Sequence, residues 1–351
     1  MRVLLADPPA YTPPYDHALA RALAAAGTEV ELVTSRFRYG PTPTPVGYRV
    51  RERFYPLSSR LPARRARLVV KAVEHPLGLA LLAAANPDVV HLQWCGAPEV
   101  DAWLLRARAP VVFTAHDLLP RRTAHRRRTW RRLFGRFDRV VVHSEAGRAA
   151  LVSFGVDPSV LRVIPHPVFP GRVRRDDDGR TAVVLGALRP YKGVPDAVEA
   201  VLRVDGARLL VAGDPRFPLA ALRERAAERA EWRLGWLDDN ALDAALAEAT
   251  VALFPYRAEL DQSGALLRAL GSGVPAVVYD VGGLGEVVSR YGAGRVVAPG
   301  DVSALAAAIE ELTSDEAALA AARRGAERAR DELTWEAAAR AHVGVYRELA
   351  A

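Results

Sequence analysis

The chain has 351 residues, half of them hydrophobic and a quarter charged, which excludes a fibrous or disordered protein and suits two globular domains of about 170 residues each. Its formal charge of +7 rests on 48 basic and 41 acidic side chains. The cations are nearly all arginine and are scattered, so they attract anions in general and single out no one partner, and nucleic acid is not expected as the main one. A single cysteine, Cys95, excludes an internal disulfide and fits a reducing, cytoplasmic setting, and no apolar run reaches the roughly 18 residues of a membrane helix.

Short Val- and Leu-rich runs alternate with alanine-rich stretches of helical period from the first residues on. RVLLA (2–6), a helix over 16–26 and TEVELVT (28–34) open a βαβ rhythm, which DVVHL (88–92), PVVFTA (110–115) and DRVVVHS (138–144) continue. The first half is expected to be a doubly wound parallel sheet. PGRVRRDDDGR (170–180) has no apolar period and reads as a linker. Beyond it, strands at 181–186, 207–213, 249–255, 274–280 and 294–298 alternate with helices near 192–203, 218–230, 238–248, 263–272 and 301–313. The expected organisation is a first Rossmann-like domain over 1–168, a linker over 169–180, a second such domain over 181–333, and a terminal helix over 334–351 that packs back on the first domain.

Ligands of open parallel sheets bind at the carboxyl ends of the strands, so the loops after the strands carry the candidate chemistry. GALRPYKGV, which opens at Gly186, brings Arg189 and Lys192 together at the start of a helix, where two cations and helix N–H groups suit a pyrophosphate. The alternative is a solvated surface turn. Lys192 is the only lysine of the second half, and Lys71 is the only other one in the chain. In FPYRAELDQSGALLRALGSGVPAVV (254–278), Ser263 can cap a helix and Gly264 lets a ligand approach the backbone. TAHDLLP (114–120) places His116 and Asp117 after a first-half strand, either as site residues or as a pair bonded within its loop.

Together GALRPYKGV, LFPYRAELDQSGALLRALGSGVP, YDVGGLGEVV (279–288) and TWEAAARAHVGVY resemble the retaining GT-B glycosyltransferases of family 4, the glycosyl transferases group 1. DVVHLQW, VVFTAHDLLPRR, VVVHSEAGRAAL and VIPHPV agree with this in order, so the likeness runs over essentially the whole chain. It implies a GT-B fold of two Rossmann-like domains facing a cleft and a hexosyltransferase-type reaction. A nucleotide-sugar donor would be held by the second domain, and a small-molecule, glycan or lipid-linked acceptor by the first. It implies that Arg189 and Lys192 stabilise the diphosphate leaving group, aided by the main-chain N–H groups at Ser263 and Gly264, with the base against Trp236 or Leu237. His116 would meet the transferred sugar or its acceptor, and His166 would be structural. No metal or other cofactor is implied.

Two features depart from the family pattern. Where relatives carry two acids eight positions apart, this chain has Leu260 and Arg268, and an arginine donates where a carboxylate would accept from ribose hydroxyls. The open alternatives are an unusual donor contacted by Arg268, an acid supplied by Glu259 or Asp261, or a chain that binds a donor without transfer. The loop after the first strand, DPPAYTPPYD, offers Tyr11 and Tyr15, for stacking on an acceptor or for core packing. Asp176, Asp177 and Asp178 lie in the linker and are not expected to bind metal. The run 121–139 interleaves arginines with Trp130, Leu133, Phe134 and Phe137, which suits either a helix packed on the sheet or peripheral association with an anionic membrane at the cytoplasmic face.

Overall fold

The computed structural model describes residues 1–120, 122–171, 174–257 and 261–349, with the backbone of 350. The chain forms two compact units: Met1–Pro165 together with Trp335–Ala351, and His166–Thr334.

Among the described residues the first unit has seven parallel strands: β1 (Arg2–Asp7), β2 (Glu29–Ser35), β3 (Arg49–Phe54), β4 (Val89–Leu92), β5 (Val111–Thr114), β6 (Arg139–Val142) and β7 (Leu161–Val163). Their order is β3-β2-β1-β4-β5-β6-β7. The central strands are buried on both faces, as their continuous aliphatic runs require. The edge strand β3, RVRERF, is mostly exposed and charged, and for that reason its sequence carries no strand period.

In the second unit the described strands are β8 (Thr181–Leu185), β9 (Arg208–Gly213), β10 (Ala230–Leu234), β11 (Val251–Phe254), β12 (Ala276–Tyr279) and β13 (Gly294–Val297). They run parallel in the order β10-β9-β8-β11-β12-β13. In each sheet the order reverses once, between β1 and β4 and between β8 and β11. Loops leaving these strands diverge to opposite faces, opening the crevice in which doubly wound sheets hold ligands.

The stretch 169–180, expected as a linker, is bonded into the second unit where it is described. Gly171 N–H donates to Gly271 O and Asp176 N–H to Ala247 O. Arg175 donates to the carbonyls of Gly273 and Ala249, and Asp177 accepts from Arg175, Arg323 and Thr250. Charge density here reflects an ion-paired strap, and the unit boundary falls at Pro165/His166.

The terminal helix Trp335–Ala350 belongs to the first unit. Trp335 packs edge-on to Tyr15 at 5.1 Å, and Tyr346 OH lies 2.6 Å from His91 Nδ1 under the sheet.

In 121–139, Trp130, Leu133, Phe134 and Phe137 are all buried in the first core, so they are not a membrane face. The arginines cover aromatic rings, with Arg132 3.4 Å above Trp103 and Arg127 4.6 Å above Phe154. No helix among the described residues is long and apolar enough to cross a membrane.

Candidate active site

In the second unit, the loop after β8 turns through Gly186, whose positive φ of +93° suits glycine. A Cβ there would lie 3.2 Å from Lys192 Nζ, so the missing side chain makes room for the ammonium. Lys192 is buried, donates to Leu185 O at 3.2 Å, and faces the Tyr256 ring at 5.2 Å. Arg189, three residues earlier, is exposed.

Gly193 follows in the left-handed conformation, and a Cβ on it would fall 1.9 Å from Pro255 O. That close approach joins the RPYK turn to the loop after β11, where Arg257 N–H donates to Tyr191 O at 2.7 Å. Arg257 also grips Asp196 with two hydrogen bonds of 2.9 and 2.6 Å, and Tyr279 OH donates to the same carboxylate at 2.9 Å. The sequence reading missed this Arg257–Asp196–Tyr279 brace, although the position of Arg257 at the carboxyl end of β11 could have marked it.

The helix Gly264–Gly271 begins beside this loop. Ser263 caps it, its Oγ accepting from Leu266 N–H at 3.4 Å and lying 3.3 Å from Tyr256 OH. The Ser263 main-chain N–H donates to Gln262 Oε1 at 3.1 Å, while Gln262 Nε2 donates to Gly283 O at 3.1 Å. Gln262 thereby ties together the starts of two helices, and Gly264 stays exposed.

Arg268, considered above as a ribose or phosphate contact, donates to Asp243 at 2.8 Å and to Asp239 at 2.5 Å. Its guanidinium is committed to the helix Asp239–Ala247 and lies 5.6 Å from the Phe169 ring. Asp261 is buried; Glu259 and Leu260 lie outside the described residues. Beyond the edge strand β10, Trp236 is 57% exposed, whereas Leu237 packs on the core.

In the first unit, the carboxyl ends of β1, β4, β5 and β6 gather a second cluster. His116 stacks on Trp94 at 5.3 Å and meets Tyr15 edge-on at 4.7 Å. Its Nε2 lies 2.9 Å from Gln93 Oε1, and its Nδ1 lies 3.4 Å from His143 Nε2. His143 Nδ1 faces Ile164 O at 2.9 Å, an acceptor, and so carries a proton there.

Tyr15 is buried in this packing, whereas Tyr11 is exposed and meets Trp94 at 5.3 Å. Asp117 follows His116 and is half-buried. Trp94 and Gln93, which the sequence reading did not single out, hold His116 in place. Below them Asp7 accepts from Tyr11 N–H at 2.7 Å and Thr12 N–H at 3.1 Å. Burial lifts Asp7 to about 6, and burial followed by the charge of Asp7 lifts Asp16 well above the carboxylate range. His166 is buried, with Nδ1 2.6 Å from Pro167 O.

Comparison with known proteins fits both halves. Residues 15–172 match the family described as Glycosyltransferase Family 4, and residues 179–315 match Glycosyl transferases group 1. The chain is 30% identical over 290 residues to the glycogen synthase of Mycobacterium tuberculosis, covering 74% of this chain and 69% of that protein. It is 28% identical to the phosphatidyl-myo-inositol mannosyltransferase of Mycobacterium leprae, covering 70% of each. Sucrose-phosphate synthase from Thermosynechococcus elongatus superposes with a TM-score of 0.79 over 99% of both chains at 21% identity. Anabaena HepE, solved with UDP-glucose, does so at 0.73, with 16% identity over 99% of this chain and all of that one. Two doubly wound parallel sheets are the GT-B architecture, and with these matches the chain belongs to the family 4, group 1 glycosyltransferases.

Proposed function

We propose that the enzyme takes its sugar from a nucleotide-diphosphate donor and transfers it with retention, the diphosphate lying between Arg189, Lys192 and the start of the helix Gly264–Gly271. The observation that carries this reading is Tyr256. Its ring faces the Lys192 ammonium at 5.2 Å while its hydroxyl lies 3.3 Å from the Ser263 cap. One buried side chain thus fixes an ammonium and a helix N-terminus together. As the bond from sugar to phosphate breaks, negative charge grows on the departing oxygen, and fixed cations and N–H dipoles stabilise that charge more than they stabilise the bound ester.

In this proposal Gly186 gives the phosphate access, and Trp236 and Leu237 border the base. On the first unit, Tyr11 and Asp117 take part in holding the acceptor, and His116 meets the sugar or acceptor. The cations supply the countercharge, so no metal is required. HepE with its UDP-glucose supports a nucleotide donor, and the glycogen synthase and mannosyltransferase relatives support a carbohydrate or inositol-lipid acceptor.

The test is nucleotide release from a panel of UDP, GDP and TDP sugars, with the anomer of the product read by NMR. Lys192→Ala and Arg189→Ala are each expected to lower kcat/KM at least about 100-fold, or roughly 2.7 kcal/mol. Near-normal turnover in either variant removes that residue from the site. Donor binding with no nucleotide release from the wild type would make the chain a binding protein, and loss of activity in EDTA would refute the metal-free reading.

A further inference from the structure

The helix Arg64–Ala84 has two faces of different chemistry. Its inner face carries Glu74, His75, Gly78, Leu79 and Leu82, and Gly78 lies so close to Phe54 that a Cβ would meet the ring at 2.4 Å. Its outer face should be polar in an ordinary surface helix. Instead Leu68, Val69, Val73, Leu77 and Leu81 stand 46–68% exposed along it. The exposed positions among them, Ala66, Ala72, Ala80 and Ala84, are alanines. Leu57, 64% exposed, lies beside this helix, since its N–H donates to Glu74 Oε1 at 2.7 Å.

Charge is distributed as unevenly. Residues 57–84 include Arg60, Arg64, Arg65, Arg67 and Lys71 against one acid, Glu74. That carboxylate is buried and accepts from Leu57 and Ser58 N–H, so it does not oppose an anion outside. Arg60, Arg64 and Arg65 are exposed at the amino-terminal end of the apolar stripe.

We infer that this face docks on an anionic lipid bilayer, the helix lying in the plane of the interface with Val69, Val73, Leu77 and Leu81 among the acyl chains and the arginines among the headgroups. From Val69 to Leu81 the stripe runs about 18 Å, long enough to rest on a surface and too short to span one. Binding by apolar burial together with attraction of basic residues to anionic lipid is the known physics of such helices. A protein partner fits less well, because interface anchors are drawn mainly from Trp, Tyr and Arg, whereas this stripe is Leu, Val and Ala. The inference goes beyond the donor site and does not depend on it.

The full chain tests this by flotation with vesicles of phosphatidylglycerol and phosphatidylcholine, and with phosphatidylcholine alone. Wild type should float with the anionic vesicles at low salt, more weakly at high salt and little with the neutral ones. The triple variant Val69→Ser, Val73→Ser, Leu77→Ser should bind at least tenfold more weakly while keeping its melting temperature and nucleotide release, as should Arg64→Gln with Arg65→Gln. Unchanged flotation in the triple variant overturns the assignment. So does a wild type that ignores anionic vesicles, whether monomeric or sedimenting as a dimer that the triple variant dissociates; the dimer would make the face a contact between copies.

Discussion

Arg268 joins two carboxylates of a neighbouring helix, and its partner Asp243 is buried. Removing the guanidinium breaks a buried ion pair, a loss of about 3–5 kcal/mol. Arg268→Ala should therefore lower the unfolding midpoint clearly and change donor affinity by less than about threefold. A calorimetric scan and a donor titration on the same preparation decide this; a large affinity loss at unchanged stability would return Arg268 to the donor. The departure from the family pattern was legible at residue 268 itself. Its reason was not, because the partners lie 25 and 29 positions away on another helix.

Asp7 and Asp16 form another buried acidic group. Asp7 keeps its proton up to about pH 6 in the fold and releases it near 4 when unfolded. Between those values the folded chain binds more protons, so stability falls as pH rises through the window, and the full cost is present above it. Asp7→Asn retains an acceptor for Tyr11 and Thr12 N–H and is neutral throughout. It should be more stable than wild type by about 1–3 kcal/mol at pH 7.5, with the advantage shrinking to roughly a third at about pH 4.5 and vanishing only below about pH 3. His342, held down to about 4 by burial, destabilises both proteins alike in acid and cancels in the comparison. Urea melts at the two pH values check this, and an equal difference at both would show that Asp7 is ionised in the fold.

At the scale of elements, the geometry of the proposed donor site depends on two loops held together across the strand-order reversal. Gly193 makes this junction, with a φ of +66° and a Cβ position 1.9 Å from Pro255 O. Gly193→Ala adds left-handed strain of about 1–2 kcal/mol and drives the two loops apart. It should lower both melting temperature and kcat/KM, the latter at least about tenfold. A stable variant with full turnover would show that the loops need not touch. RPYKG was legible as a candidate site because its lysine is one of only two in the chain, but its contact with Pro255 and the Arg257 brace are tertiary facts.

The same limit explains the other elements. The buried strands β1, β4, β5, β8, β9, β11 and β12 announce themselves as aliphatic runs. The charged edge β3 and the three-residue β7 do not, having less apolar surface to bury. The amphipathic period of 121–139 was plain, yet periodicity identifies an apolar face without saying what covers it. Here the sheet covers it.

For the whole molecule, the two sheets and the family were readable because βαβ rhythm repeats twice and the motifs occur in order. The boundary was placed three residues late, at 168, because the charged strap after it looks like a linker until its carbonyl and carboxylate partners are seen. The terminal helix makes the first unit discontinuous in sequence: it is left at Pro165 and re-entered at Trp335. During synthesis the whole second unit therefore leaves the ribosome before the first is complete, an interval on the order of ten seconds. Through that interval β4 carries His91 without its Tyr346 partner, and Tyr15 lacks Trp335. The first unit therefore closes only after the second has been made, and until then it carries an open apolar surface that the helix Trp335–Ala350 later covers.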